Sequence, residues 1–195
     1  EMFAINSTSR ALTRPRTFLQ LARAFSTGDG FPASMDDKYE ISPARDVPSH
    51  ITRPSYVGRR HQDFPPLHGP IHVLSDDQIK GLRSASNLAA RALHKCVKET
   101  RIGMSLDEID KIAHDYIVQD GSYPSAIDFM HFPKSLCTSV NDVVAHGVPN
   151  SYVLKAGDYV NLDIVCFKDG CHGDNSAMVM LNDPNPAGTQ VHPDI

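Results

Sequence analysis

Asp169-Gly170 stands between two β-prone runs, Val160-Asn161-Leu162-Asp163-Ile164-Val165-Cys166-Phe167 and Cys171-His172-Gly173-Asp174. A dipeptide of this type between such runs predicts a two-residue hairpin, because both central residues of that turn need positive φ. The register then follows: 168 faces 171, 165 faces 174 and 163 faces 176. Side chains alternate with a period of two, so Asp163 and Asp174 share one face as diagonal neighbours, ~7–8 Å apart at Cα. A three-residue turn would send Asp174 to the opposite face.

Two carboxylates so close beside an apolar strand repel each other and are costly to desolvate. A divalent cation, or a pair of them, removes that cost, and hard oxygen donors suit Mn, Fe, Co or Zn in a hydrolytic centre. The alternative is that Asp174 lies in a surface turn and Asp163 is a solvated acid. The setting of Asp163 within Val-Asn-Leu-Asp-Ile-Val favours the first reading.

Upstream, Ser75-Asp76-Asp77-Gln78 has the form of a capping box, in which serine and glutamine satisfy the free N–H groups of a helix start. Ile79, Leu82, Ala89, Leu93 and Val97 recur at helical spacing, which predicts a helix over about 76–98. After the break at Gly103 a second box, Ser105-Leu106-Asp107-Glu108, opens a helix with Leu106, Ile109, Ile112, Ala113 and Tyr116 on one face, ending near Gly121. Beyond it the period changes. Ser135–Val140, Val143–Ala145, Tyr159–Phe167 and Cys171–Met180 read as strands between Pro, Gly and Asn punctuation. Helices first and an antiparallel sheet afterwards give an α+β class, two helices packed on the sheet.

Four segments are expected. Residues 2–28 hold Arg10, Arg14, Arg16 and Arg23 and no acid, the make-up of an organelle presequence, with Arg23-Ala24-Phe25-Ser26 similar to a matrix-protease cleavage pattern. The alternative there is a basic disordered tail. Residues 29–70 carry seven of the chain's 14 prolines and no apolar periodicity, so they read as a linker or an arm laid over the domain. Residues 71–181 form the folded body, and 182–195, rich in Asn, Asp, Pro and Gly, read as an irregular tail. From Asp29 onward 15 Lys/Arg face 22 Asp/Glu, which leaves no basic face for nucleic acid. No apolar run approaches the ~20 residues of a membrane span. Cys96, Cys137, Cys166 and Cys171 show no paired spacing and read as free thiols.

Five stretches resemble one known family in order and spacing: Tyr123-Pro124-Ser125; Phe132-Pro133-Lys134-Ser135-Leu136-Cys137-Thr138-Ser139-Val140-Asn141-Asp142-Val143-Val144; His146-Gly147-Val148-Pro149; Gly157-Asp158-Tyr159-Val160-Asn161-Leu162-Asp163; and His172-Gly173-Asp174. They are similar to the type I methionine aminopeptidases over about residues 71–180, and Tyr56-Val57-Gly58 is common in organellar members. The resemblance implies the N-terminal half of the pita-bread fold, in which two pseudo-symmetric halves surround a curved antiparallel sheet and a pair of divalent metal ions. It implies Asp163 as a bidentate ligand of one ion and Asp174 as a bridge between both. His146 matches the non-ligand histidine that hydrogen-bonds substrate near the scissile peptide, a catalytic and substrate-binding role. Phe129, Phe132 and Cys137 fall where the methionine pocket is lined, a setting that suits a flexible thioether. A backbone-satisfied loop histidine and ordinary core packing are the alternatives for these four.

The reaction so implied is metal-assisted removal of an initiator methionine followed by a small residue, from nascent proteins of the mitochondrial matrix, with a plastid as the alternative. A monomer without nucleic-acid partner or membrane span is expected. Ala126, Ala145 and Asn175 depart from the family pattern and touch fine specificity. The family's remaining ligands, a histidine and glutamates, lie in its second half, and His192 in its Pro/Asp-rich setting is not a candidate. With two acids alone, the chain is expected to be a truncated, catalytically incompetent form. Two other readings compete: a non-catalytic binding module or inactive isoform of the same fold, and a creatinase- or prolidase-like enzyme. Retention of Asp163, Asp174 and His146 argues against the former, and Phe132–Asn141 against the latter.

Overall fold

The computed structural model describes residues 38–59, 73–182 and the backbone of 189–191. The expected presequence over 1–28 therefore lies outside the described residues, as do 29–37, 60–72, 183–188 and 192–195.

Both capping boxes form as the sequence predicts. In α1 (Asp76–Glu99) and α2 (Leu106–Gln119), Ser75 and Ser105 accept from the N–H groups of Gln78 and Glu108, whose side chains accept in return from the cap N–H groups. The buried stripe of α1 runs through Gly81, Ala85, Leu88, Ala89, Ala92, Leu93, Cys96 and Val97. Ile79 and Leu82, expected on that face, are instead partly exposed. Their displacement has a steric cause. The small residues Gly81 and Ala85 face the sheet because α1 comes within backbone contact of the hairpin, where larger side chains do not fit.

The sheet consists of β1 (Tyr123–Pro124), β2 (Leu136–Val140), β3 (Tyr159–Lys168), β4 (Cys171–Leu181) and β5 (Thr189–Val191), all paired antiparallel. β3 is central: β1 and β2 lie end to end along one edge, β4 holds the other, and β5 adds outside β4. The inner face presents Leu136, Val140, Val160, Leu162, Ile164, Cys166, Ala177, Val179 and Leu181 to the helices, and all are buried. The α+β class, with two helices on an antiparallel sheet, is as expected. Among the described residues no helix is long and apolar enough to cross a membrane, and Cys96, Cys137, Cys166 and Cys171 are free thiols.

Gly173 marks the tightest approach. A Cβ there would lie 2.2 Å from the Ala85 carbonyl carbon and from the Ser86 nitrogen. Backbone meets backbone, so nothing can yield unless α1 lifts from β4. Gly173→Ala is expected to cost about 2–3 kcal/mol, seen as a lower urea midpoint with an unchanged slope.

Two expectations need correction. Val143–Ala145 is not a strand: Asn141 and His146 take positive φ at either side of it, and Val144 is 93% exposed. β-branched residues favour a strand only when a partner and a packing surface exist, and this turn has neither. Within the expected irregular tail, Thr189–Val191 pairs with β4. Of the two readings of the Pro-rich segment, linker or arm, its described part takes the second, an arm bound to the body with apolar contacts of its own. Val47 and Ile51 pack with Tyr123 and Ile127 in a second small core.

Polar contacts fasten the same arm. Arg45 reaches Asp107 (2.8 Å) and Asp110 (3.1 Å), Ser42 donates to Asp107 (2.6 Å), and the Asp46 carbonyl meets His114 Nε2 (3.2 Å). Lys134, fully buried, donates to Ser42 (2.6 Å) and pairs with Asp107. The FPKS stretch thus contributes a buried ion cluster that joins arm, α2 and the start of β2.

Candidate metal centre

The turn at Asp169-Gly170 has φ of 51° and 76°, positive at both positions, and pairs Lys168 with Cys171. Val165 consequently faces Asp174, and Asp163 faces Ser176. The register inferred from the dipeptide is the observed one, so the two acids share the outer face of the sheet. Cys137 is the register partner of Asp163 on β2 and joins them there.

Their electrostatics agree with this proximity. Burial first, then the Asp174 charge and a hydrogen bond shared with Asp174, push the Asp163 carboxyl above the ordinary carboxylate range. His146 pulls it the other way, which places that histidine within electrostatic reach of the pair. Burial, with Asp163 and Asp174 beside it, pushes the Cys137 thiol up to about 12, so it stays a neutral, soft wall residue.

A tight loop closure sets His146 beside the pair. Gly147 donates to Ser139 Oγ (3.2 Å) and its carbonyl accepts from the Thr138 N–H (2.8 Å), fastening the loop to the free edge of β2. A Cβ on Gly147 would stand 2.1 Å from the Thr138 carbonyl oxygen, so only glycine permits that approach. His146 itself takes φ 55°, a conformation unusual for a non-glycine residue. Such strain tends to persist where surrounding contacts over-determine it.

Phe129 and Phe132 stand at the two ends of a short loop. Phe132 is buried, and Phe129, in a 3-10 turn over Phe129–His131, is 39% exposed. The link from Phe129 to the acids runs through Tyr56 of the arm, whose ring meets Phe129 edge-on and stacks on His172, two residues before Asp174. Ser125 Oγ in turn hydrogen-bonds His172 Nδ1 (2.9 Å). Burial holds the His172 imidazole below its usual value. Tyr56, Ser125 and His172 were not singled out from the sequence as site residues. The stretch Tyr56-Val57-Gly58 supports the family resemblance but gives Tyr56 no site role, since its neighbours at the site lie about seventy residues or more downstream.

The donor set tests the expected metal. Two carboxylates, one half-buried and one exposed, meet on one face and offer hard oxygens suited to a divalent cation. Among the described residues, no group of three or more His, Cys, Asp and Glu side chains is arranged to hold an ion. The pair therefore fits as part of a ligand set, short of the roughly three protein ligands typical of catalytic zinc sites.

With this geometry in hand, known proteins place the chain. Residues 80–193 match Metallopeptidase family M24. Methionine aminopeptidase 2 of Mycobacterium tuberculosis is 41% identical over 145 residues, 73% of this chain and 49% of that protein. Methionine aminopeptidase 1D, mitochondrial, of Danio rerio is 39% identical over 151 residues, covering 77% and 44%. The crystal structure of methionine aminopeptidase from Rickettsia prowazekii superposes with a TM-score of 0.56 at 35% identity, over 59% of this chain and 46% of that one. The chain spans just under half the length of the curated relatives it matches.

Proposed function

The chain belongs to metallopeptidase family M24, and we propose that it carries one half of the site of a metal-dependent aminopeptidase that removes N-terminal methionine from nascent organellar proteins. The convergence of Asp163 and Asp174 on one sheet face, through the observed hairpin register, is the observation that carries this reading. In it, the two acids hold a pair of divalent ions, Co, Mn, Fe or Zn. Such ions supply Lewis acidity and a water of lowered pKa.

The chain's own residues bind and orient the substrate. His146, fixed by the Gly147 closure, donates a hydrogen bond to the substrate's first peptide group. Cys137, neutral because burial raises its thiol pKa, lines the slot for the methionine side chain with Phe129 and Phe132. A thioether gains from aromatic neighbours, which favours methionine over a polar first residue. The organellar setting is supported by the acid-free, arginine-bearing stretch 2–28 and by the mitochondrial relative in Danio rerio. Full activity requires ligands beyond Asp163 and Asp174.

One observation favours a second reading, a non-catalytic member of the fold: among the described residues no third ligand joins the pair. The experiment that separates the two offers Met-Ala and Ala-Pro peptides, with Co or Mn added, to this chain and to a version extended to the length of the relatives. Methionine release by the extended version, abolished by a chelator, is expected; the present chain should release little. Hydrolysis of Ala-Pro instead of Met-Ala would overturn the methionine reading. No hydrolysis of either, with metal bound, would favour the non-catalytic one.

A further inference from the structure

The loop that carries Phe129 is held in an unfavourable backbone. Asp128, Met130 and His131 take φ of 64°, 50° and 64°, three left-handed non-glycine residues within four positions. Conformations of this kind persist only when contacts from outside over-determine them. Some clamps lie within the loop, where the Asp128 N–H donates to the Phe132 carbonyl (2.8 Å) and the Phe132 N–H to the Phe129 carbonyl (3.0 Å). Others come from the arm. The Gly58 N–H donates to the Asp128 carboxylate, and the Tyr56 ring meets Phe129 at 5.3 Å between centroids and 76° between planes.

Tyr56 also reaches β4, the strand that bears Asp174. Its ring stacks on His172 at 6.1 Å and 23°, and its hydroxyl donates to the Ser125 carbonyl. Phe167 closes on the other contact of that imidazole at 4.9 Å. One arm side chain thus bridges the loop that bears Phe129 and the strand that bears Asp174, two elements not bonded to each other in the sheet.

We propose that Tyr56 is a positioning residue for the substrate's first side chain, setting Phe129 and His172 against each other so that the aromatic wall stands beside Asp174. This rests on the methionine-pocket role proposed for Phe129. The arm then takes part in specificity, beyond fastening the chain. Edge-to-face aromatic contacts depend on the ring and not on the hydroxyl, so Tyr56→Phe retains the positioning and Tyr56→Leu loses it.

The test measures binding of Met-Ala-Ser and Ala-Ala-Ser by calorimetry to the full chain and to Tyr56→Ala, Tyr56→Leu and Tyr56→Phe. Folding is checked by circular dichroism. The parent chain should prefer the methionine peptide. In Tyr56→Ala and Tyr56→Leu that preference should fall about tenfold, the loss of roughly one aromatic contact and its packing. Tyr56→Phe should keep it. Equal weakening of both peptides would show a role confined to stability and overturn the proposal, as would an intact preference in Tyr56→Leu, which covers the case of an unfolded Tyr56→Ala. A parent chain with no preference for methionine defeats the proposed function itself, and this inference with it, before any variant is compared.

Discussion

Lys134→Ala is expected to destabilise the domain by about 3–5 kcal/mol, the scale for removing one partner of a buried ion pair. The Lys134 side chain is completely buried, donates to Ser42 at 2.6 Å and pairs with Asp107. Asp110, equally buried, depends on the Ser135 N–H (2.6 Å) and on Arg45. Burial pushes the Asp110 carboxyl up, and the positive charges of Lys134 and Arg45 offset part of that. Removing the ammonium leaves two carboxylates with one guanidinium, and the Asp110 carboxylate is buried away from solvent. Against a total stability of about 5–15 kcal/mol, the variant should be close to unfolding at 37 °C. Urea unfolding reads the effect directly. The double variant Lys134→Met with Asp107→Leu should recover part of the loss, because no charge is then left unpaired at Asp107. A Lys134→Ala midpoint equal to the parent's would show the cluster to be without consequence.

The same cluster sets an acid limit. Burial alone would raise the Asp107 carboxyl, but hydrogen bonds from Lys134 and Ser42 and the charges of Lys134 and Arg45 outweigh it and hold it below its ordinary value. A folded-state pKa lowered in this way contributes stability above the unfolded value, lost as pH falls through the folded one. The dependence of stability on pH in that acid range should flatten in Lys134→Ala.

Asp163→Asn is expected to act in the opposite sense on the metal-free chain, stabilising it by on the order of 1 kcal/mol, because a like-charge neighbour disappears. Asp163 and Asp174 share a hydrogen bond, and burial with the Asp174 charge already raises the Asp163 carboxyl. Asparagine keeps the shape and can donate to Asp174, so the repulsion ends without opening a cavity. The gain has a functional cost. A divalent ion at about 100 times its Kd should stabilise the parent chain by ~2.7 kcal/mol, and Asp163→Asn and Asp174→Asn should lose most of that. Thermal unfolding with and without Mn, compared across the three chains, gives both signs at once. A metal-free Asp163→Asn less stable than the parent, or a full metal response in either variant, would count against the acids as a ligand pair.

The legible parts of this fold were those ruled by near neighbours in sequence. Both helix starts were set by serine with Gln or Glu three residues on, and the outer-face position of the acids by the turn at Asp169-Gly170. Ile79 and Leu82 misled because helical spacing identifies an apolar stripe without the steric limit that Gly173 imposes across the sheet. Val143–Ala145 misled because strand preference is realised only against a partner, and the chain there turns back to close the His146 loop on β2. The arm was readable as an arm, but its side-chain destinations were not. Ser42 finds Lys134 across 92 residues, and Tyr56 finds Ser125 across 69.

What the sequence determined by itself was the pairing of Asp163 with Asp174, since a turn type fixes register and the two-residue period of a strand fixes the face. What only tertiary structure decided was their surroundings: the buried ion cluster around Lys134, the glycine contact that fastens His146, and the arm that brings Tyr56 to Phe129 and His172. Turn and cap chemistry act over a few bonds, so they leave a local pattern. Burial of charge and close backbone approach arise only when distant segments pack, and no pattern along the chain encodes them.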